Sequence, residues 1–170
     1  MKLFNKWDST GIMITDLSLK NNITITERLV TKSQGRNASK RFHRSKNHIV
    51  ERLIERLMVP GHKGKDHFKS SGRCTGKYTK NAKIVIDTLS IVEKKLNQNP
   101  VQILVTAIEN SAPREEITTI EYGGARYPQA VDCSPQRRID ISLRMMVQGA
   151  YHKSFGNKIK MHDALAEEII

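Results

Sequence analysis

Apolar residues along this chain recur mostly at intervals of three and four, and that period lays out helices before any other property is considered. From about Lys46 to Val59 the stripe is Ile49, Val50, Leu53, Ile54 and Leu57, and Pro60-Gly61 ends it. A second helix is predicted from about Thr79 to Leu96, where Val85, Leu89, Val92 and Leu96 share a face and Asn97 to Asn99 close it. Asn99-Pro100 then supplies an N-cap and a first-turn proline for a third helix through Asn110, with Val101, Leu104, Val105 and Ile108 inward and Pro113 as the stop. Ser134-Pro135 opens a fourth in the same manner. It runs to about Ser154 on Ile139, Leu143, Met146, Val147 and Ala150, and Gly156 is expected to stop it. A last helix, from about Lys160 to the end, turns Met161, Leu165 and Ile169 inward.

Two regions break the helical period. Between Ile117 and Val131 the residues become β-branched and aromatic around Gly123-Gly124, which supplies the positive φ angles of a tight reversal, so ITTIEY and YPQAV read as the strands of a hairpin. Pro128 is tolerated only on an edge strand, as in a two-stranded arm standing free of a larger sheet. In the first 30 residues, Ile12 and Ile14 alternate after Leu3, Phe4 and Trp7, and Leu17, Leu19, Ile23 and Ile25 follow, which reads as an extended strand laid along the core. The expected fold is mainly α: a compact helical bundle with a protruding β-hairpin arm and a basic, partly extended N-terminal extension. Residues 1–45 form that extension, and 46–170 form the helical domain with its hairpin at about 117–131.

A length of 170 residues supports one core and not two enzymatic domains. The chain has no run of 18 apolar residues and no leader-like start, so a soluble, cytoplasmic protein with no membrane partner is expected. With Cys74 and Cys133 as the two cysteines, neither a disulfide framework nor a four-thiolate zinc site can be built. Charge changes the picture most. The 29 Lys and Arg residues against 17 Asp and Glu give a formal net charge of +12. Residues 1–31 hold 4 basic and 3 acidic side chains, and 84–170 hold 10 and 11, so the whole excess lies in 32–83, where 15 basic residues face Glu51, Glu55 and Asp66. Two stretches there, TKSQGRNASKRFHRSK from 31 to 46 and GHKGKDHFKSSGRCTGKYTK from 61 to 80, are also poor in apolar residues. Such segments do not order themselves by burial, but phosphates would neutralise their self-repulsion. A polyanionic partner is therefore expected. The 5% aromatic content limits any function built on rows of rings stacked on bases.

Catalytic constellations fail on inspection. Gly72 to Lys77 resembles a phosphate loop but has three residues between its glycines where four are required, and Tyr78 stands in place of the metal-binding Ser or Thr. His62, His67 and Cys74 lack a cysteine pair and sit among Lys63, Lys65 and Lys69, which repel a cation. Glu115-Glu116 and Glu167-Glu168 are neighbours that read as surface charge, and Cys133 reads as a small core or interface thiol. No enzyme, metal or cofactor is expected. Binding chemistry remains: Arg137-Arg138, with Arg144 further along, opens a helix whose N-terminal amides favour phosphate. At the hairpin, Arg126 and Tyr127 beside Gly123 and Gly124 offer a cation and a ring on a thin protrusion that suits a groove or a single strand.

The segments NPVQILVTAIENSAPREE and YGGARYPQAVDCSPQRRIDISLRMM, preceded by KRFHRSKNHIVERLIERLM, closely resemble the small-subunit ribosomal proteins of the universal S-seven family in its archaeal and eukaryotic form. The resemblance covers about residues 36 to 170. It implies a helical body with a protruding hairpin, seated in the head of the small subunit on the 3′ major domain of its RNA, where the family nucleates head assembly. By similarity, Arg36, Lys40, Arg41, Arg44, Lys46, Arg114, Arg137 and Arg138 would line ribosomal RNA. The hairpin around Gly123, Gly124, Arg126 and Tyr127 would point towards the exit-site tRNA and the mRNA path, with a neighbouring ribosomal protein near the exit channel. Two departures stand out. The chain stops at Ile170, where relatives usually continue into a further basic helix, and the stretch from His62 to Lys80 is longer than the family leads one to expect. That stretch, with Arg73 and Lys77, reads as a loop insertion adding phosphate contacts. The competing reading is a DNA-binding helical regulator that places the Ser134 helix in a major groove. It needs a symmetric dimer, and no dimerisation helix is marked. An RNA-modifying enzyme is weaker again, lacking a cofactor loop and a catalytic cluster.

Overall fold

A computed structural model describes the chain except residues 64–65 and 68–75, and gives the backbone alone for 62, 63, 66 and 67. The elements are, in order, β1 (Lys2–Leu3), β2 (Trp7–Asp8), α1 (Leu17–Lys20), a 3-10 turn (His43–Lys46), α2 (Ile49–Leu57), β3 (His62–Lys63), β4 (Asp66–His67), α3 (Tyr78–Leu96), α4 (Pro100–Ser111), β5 (Glu115–Tyr122), β6 (Ala125–Asp132), α5 (Pro135–Ser154) and α6 (Met161–Ile169). The molecule is mainly α with a hairpin arm, as the periodicity predicts. Each of the five long stripes becomes a helix, because its apolar face has a partner: α5 packs on α1, α2, α4 and α6, and α3 packs on α2, α4 and α6. The shared core holds Leu53, Ile54, Val85, Leu89, Leu104, Val105, Ile139, Leu143 and Leu165, all essentially without exposed surface.

Caps set the boundaries. Asn99 Oδ1 accepts from Val101 N at 3.0 Å ahead of Pro100, and Asn97 ends α3 in a left-handed conformation, its amide donating to Glu93 O at 2.8 Å. The first stripe starts later than its pattern indicated. Residues 43–46 form a tighter 3-10 turn, and α2 begins at Ile49 because the His48 side chain accepts from Val50 N at 3.2 Å and so caps it.

Residues 1–30 do not form the single strand expected of them. β1 and β2 pair as a two-residue hairpin, α1 follows, and Leu3, Trp7, Leu19 and Ile23 enter the common core. The extended part runs from Ile12 to Asp16, and it is bonded to helix side chains rather than to a strand. Gln102 on α4 exchanges hydrogen bonds with Met13 N (2.8 Å) and Met13 O (3.0 Å), and Glu109 Oε1 accepts from Thr15 N (2.7 Å) and Asp16 N (2.9 Å). Two side chains on one face of α4, two turns apart, thus do the work of a neighbouring strand, which a single-chain hydrophobic pattern cannot reveal. Trp7 Nε1 adds a bond to Glu93 Oε2 at 2.9 Å, and Asn99 Nδ2 donates to Asp8 O at 2.7 Å.

The arm is a two-stranded ribbon with the register Ile120 opposite Tyr127 and Tyr122 opposite Ala125. Gly123 (φ +59°) and Gly124 (φ +81°) form its two-residue turn. Consecutive positive φ values define the reversal whose twist matches the strands, and only glycine adopts both without strain. Pro128 faces Thr119 on an edge, as its missing amide requires.

His48 is fully buried, and burial followed by repulsion from Arg28 lowers its pKa to about 4. Its cap requires a neutral ring with Nδ1 unprotonated. The unfolded imidazole titrates near 6.5, so the folded state gains from His48 above that pH and loses the gain as pH falls towards 4. Denaturant titrations should show about 3 kcal/mol of pH-dependent stability between pH 7 and 4 that is missing from H48N, whose amide keeps the cap without a proton to bind.

Candidate nucleic-acid interface

The first basic stretch leaves the body as an irregular segment and returns at the 3-10 turn. Within it Lys32, Arg36, Lys40, Arg41 and Lys46 are exposed, and none of them carries an ion pair among the described residues. Arg41 lies 4.7 Å from the ring centroid of Phe42, and Lys32 lies 5.5 Å from that of Tyr78. Arg44 is half-buried and reaches two carboxylates, Glu55 at 3.5 Å and Asp140 at 3.9 Å. Lys77 is exposed where α3 begins, and Arg114 is exposed at the foot of the arm, its carbonyl accepting from Cys133 N at 2.9 Å. Arg73 lies outside the described residues, as do the side chains of His62 and His67 and all of Cys74.

The structure separates the pair at the start of α5. Arg137 is exposed and forms a two-pronged ion pair with Glu116 on the arm, Nη2 to Oε2 at 2.7 Å, which holds that carboxyl below its usual range. Arg138, expected beside it on the RNA face, is instead buried, with 6% of its surface exposed. Its guanidinium bonds Asp16 Oδ2 at 2.9 Å, Pro113 O at 3.1 Å and the Ser18 hydroxyl. The Ser18 bonds first, and then Arg138, keep the Asp16 carboxyl low. Helix geometry explains the split: Arg138 precedes Ser142 by four residues and Met146 by eight, so it belongs to the buried stripe, whereas Arg137 does not. Arg52 is a second internal arginine, fully buried, donating to Asp140 Oδ1 at 3.2 Å and to Asn22 O at 3.0 Å.

What remains outside converges. Arg41 from the first basic stretch and Arg137 and Arg144 from α5 line one groove of about 330 Å³, with Phe42 and Asp140. Arg137, Asp140 and Arg144 are spaced three and four apart, so they share a face of α5, and that spacing could have singled out Arg144 over Arg138. Burial, and then the positive charges of Arg44 and Arg144, lower the pKa of Arg56, while Asp140 opposes the shift.

The arm has a different character. Glu115, Glu116, Glu121 and Asp132 outweigh Arg126, which pairs with Glu121 across the strands at 3.6 Å. One face of the ribbon carries Ile120, Tyr122, Tyr127 and Val131, all exposed. Cys133, at the foot of the arm, is buried, and its burial together with Glu116 pushes the thiol up, away from reactivity. Among the described residues, no group of three or more His, Cys, Asp or Glu side chains is placed to hold a metal ion, and no helix is long and apolar enough to cross a membrane.

The helical body thus draws cations from two distant parts of the chain onto one groove. The chain belongs to the family described as ribosomal protein S7p/S5e, whose model matches residues 21–170. The small ribosomal subunit protein uS7 of Nanoarchaeum equitans is 52% identical over 170 residues, covering all of this chain and 86% of that protein. The proteins of the same name from Methanosphaera stadtmanae and Methanococcus maripaludis strain C6 are each 43% identical, covering 99% and 100% of this chain and 84% and 85% of their own lengths.

The two adjacent arginines should therefore behave differently. R138A strands Asp16 and the Pro113 carbonyl and should destabilise the fold by about 2–3 kcal/mol in urea titrations. R137A, at an exposed pair, should change stability by less than about 1 kcal/mol.

Proposed function

We propose that the protein is a non-catalytic constituent of the small ribosomal subunit that binds the 3′ major domain of its RNA and helps nucleate assembly of the head. The observation that carries this reading is the groove of Arg41, Arg137 and Arg144, in a chain of the S7p/S5e family. Affinity comes from phosphate neutralisation by Arg36, Lys40, Arg41, Lys46, Lys77, Arg114, Arg137 and Arg144, and selectivity from the shape of the RNA junction they surround. Arg44 contributes charge at the rim while keeping its own carboxylate partners. Arg138 serves the fold.

The arm reaches towards the exit-site tRNA and the mRNA path in this reading. Its net negative charge disfavours phosphate contact, so it works through Tyr122, Tyr127 and Ile120, by stacking and apolar packing, and it can rest on a neighbouring ribosomal protein near the exit channel. The place of action is the ribosome in the cytoplasm.

Binding to a transcript of the 3′ major domain should weaken with salt, with a log–log slope of roughly 5 to 7 for about eight phosphate contacts. In gel-shift competition the transcript should be displaced by small-subunit RNA and not by duplex DNA. A flat salt response, or equal competition by DNA, would overturn the reading.

A further inference from the structure

Phe42 is 62% exposed, and its backbone sits at φ +66°, in the left-handed region that an aromatic residue seldom occupies. The ring is no part of the core, so core packing does not require this conformation. Strain of this kind persists where the surroundings hold it, and it gathers at binding sites.

Phe42 lines two recesses of about 330 Å³ each, and their chemistry differs. In the first, Arg41 and Arg144 have no ion pair among the described residues, Arg137 is paired with Glu116, and Asp140 Oδ1 already accepts from Arg52 at 3.2 Å. That recess suits an anion. The second is lined by Asn37, Lys40, Arg44, Asn47 and Glu55, with Gly35 at its edge. Asn37 Nδ2 donates to Asn47 Oδ1 at 2.6 Å, and Asn47 Nδ2 donates to Glu55 Oε1 at 3.0 Å. Two amides and a carboxylate match the amino and imino groups of a base edge, and the Glu55 carboxylate holds Arg44 of the same recess at 3.5 Å. Arg41 stands against the ring and lines only the first recess.

We propose that Phe42 is a stacking platform for one unpaired RNA base, which enters the recess of Asn37 and Glu55 while the flanking phosphates lie against Arg41 and Arg144. The site rests on the RNA-binding reading and narrows it to an extruded nucleotide, because a base stacked within a helix has both faces covered. Arg41 lies over one face of the ring, 4.7 Å from its centroid, and the base stacks on the other face.

The probe is the transcript of the 3′ major domain of small-subunit RNA. F42G removes the ring at a backbone angle that glycine prefers, so the melting temperature should hold or rise. It should nonetheless bind roughly 10- to 100-fold more weakly, with the log–log salt slope unchanged. F42W keeps a flat ring and should bind within about threefold of the wild type. R144Q should instead lower the salt slope by about one unit. F42G binding as tightly as the wild type while R144Q weakens binding would overturn the stacking site and leave the RNA reading standing. Loss of affinity in F42W equal to that in F42G would also overturn it. Wild-type binding that ignores salt would sink both.

Discussion

A buried guanidinium joins the parts of this molecule that matter for its surface. Arg52 has no exposed surface and bonds Asp140 on α5 and the carbonyl of Asn22 in the N-terminal segment. Burial disfavours its charge, and Asp140 opposes that penalty. An unpaired charge in such a place is costly enough that the three segments stay together or the fold loosens. This contact fixes α2 against α5, and with α2 comes the 3-10 turn and the basic stretch that precedes it. The groove between Arg41 and Arg144 exists because that distance is set from inside.

The second internal arginine extends the same logic. Arg138 ties the start of α5 to Asp16, Ser18 and the Pro113 carbonyl just ahead of the arm. Arg137, one residue earlier, holds the arm itself through Glu116. An isolated two-stranded ribbon is marginal in water, and this one has no strand residue in the core. Its direction is therefore set at its base, by an exposed ion pair, the Cys133 amide bonded to Arg114, and the buried arginine behind them. An arm anchored in this way can adjust along its length while its root stays with the body.

Charge is divided by position rather than by residue type. Arg52 and Arg138 serve the interior, Arg44 shares carboxylates with the body, and Arg36, Lys40, Arg41 and Lys46 are exposed with no ion pair among the described residues. Within the basic stretch Arg52 and Glu51 are both buried, so their charges cancel inside the body, while Arg144, from a neutral stretch, joins Arg41 in lining the groove.

Much of this was legible in the order of residues. The three-and-four spacing of apolar positions fixed the five long helices, Asn99-Pro100 and Ser134-Pro135 marked where two of them start, and Gly123-Gly124 marked the turn of the arm, because each is a local consequence of backbone geometry. The concentration of cations between 32 and 83 was likewise written in the chain, and with it the expectation of a polyanionic partner. The fate of each cation was not. Whether an arginine meets solvent or a carboxylate depends on groups far away in sequence: Arg138 on Asp16, Arg52 on Asp140, the stretch at Met13 on Gln102. Local pattern determines which face of a helix is apolar, and only the packed structure decides which charges that packing encloses, because enclosing one requires a partner that the chain supplies from elsewhere.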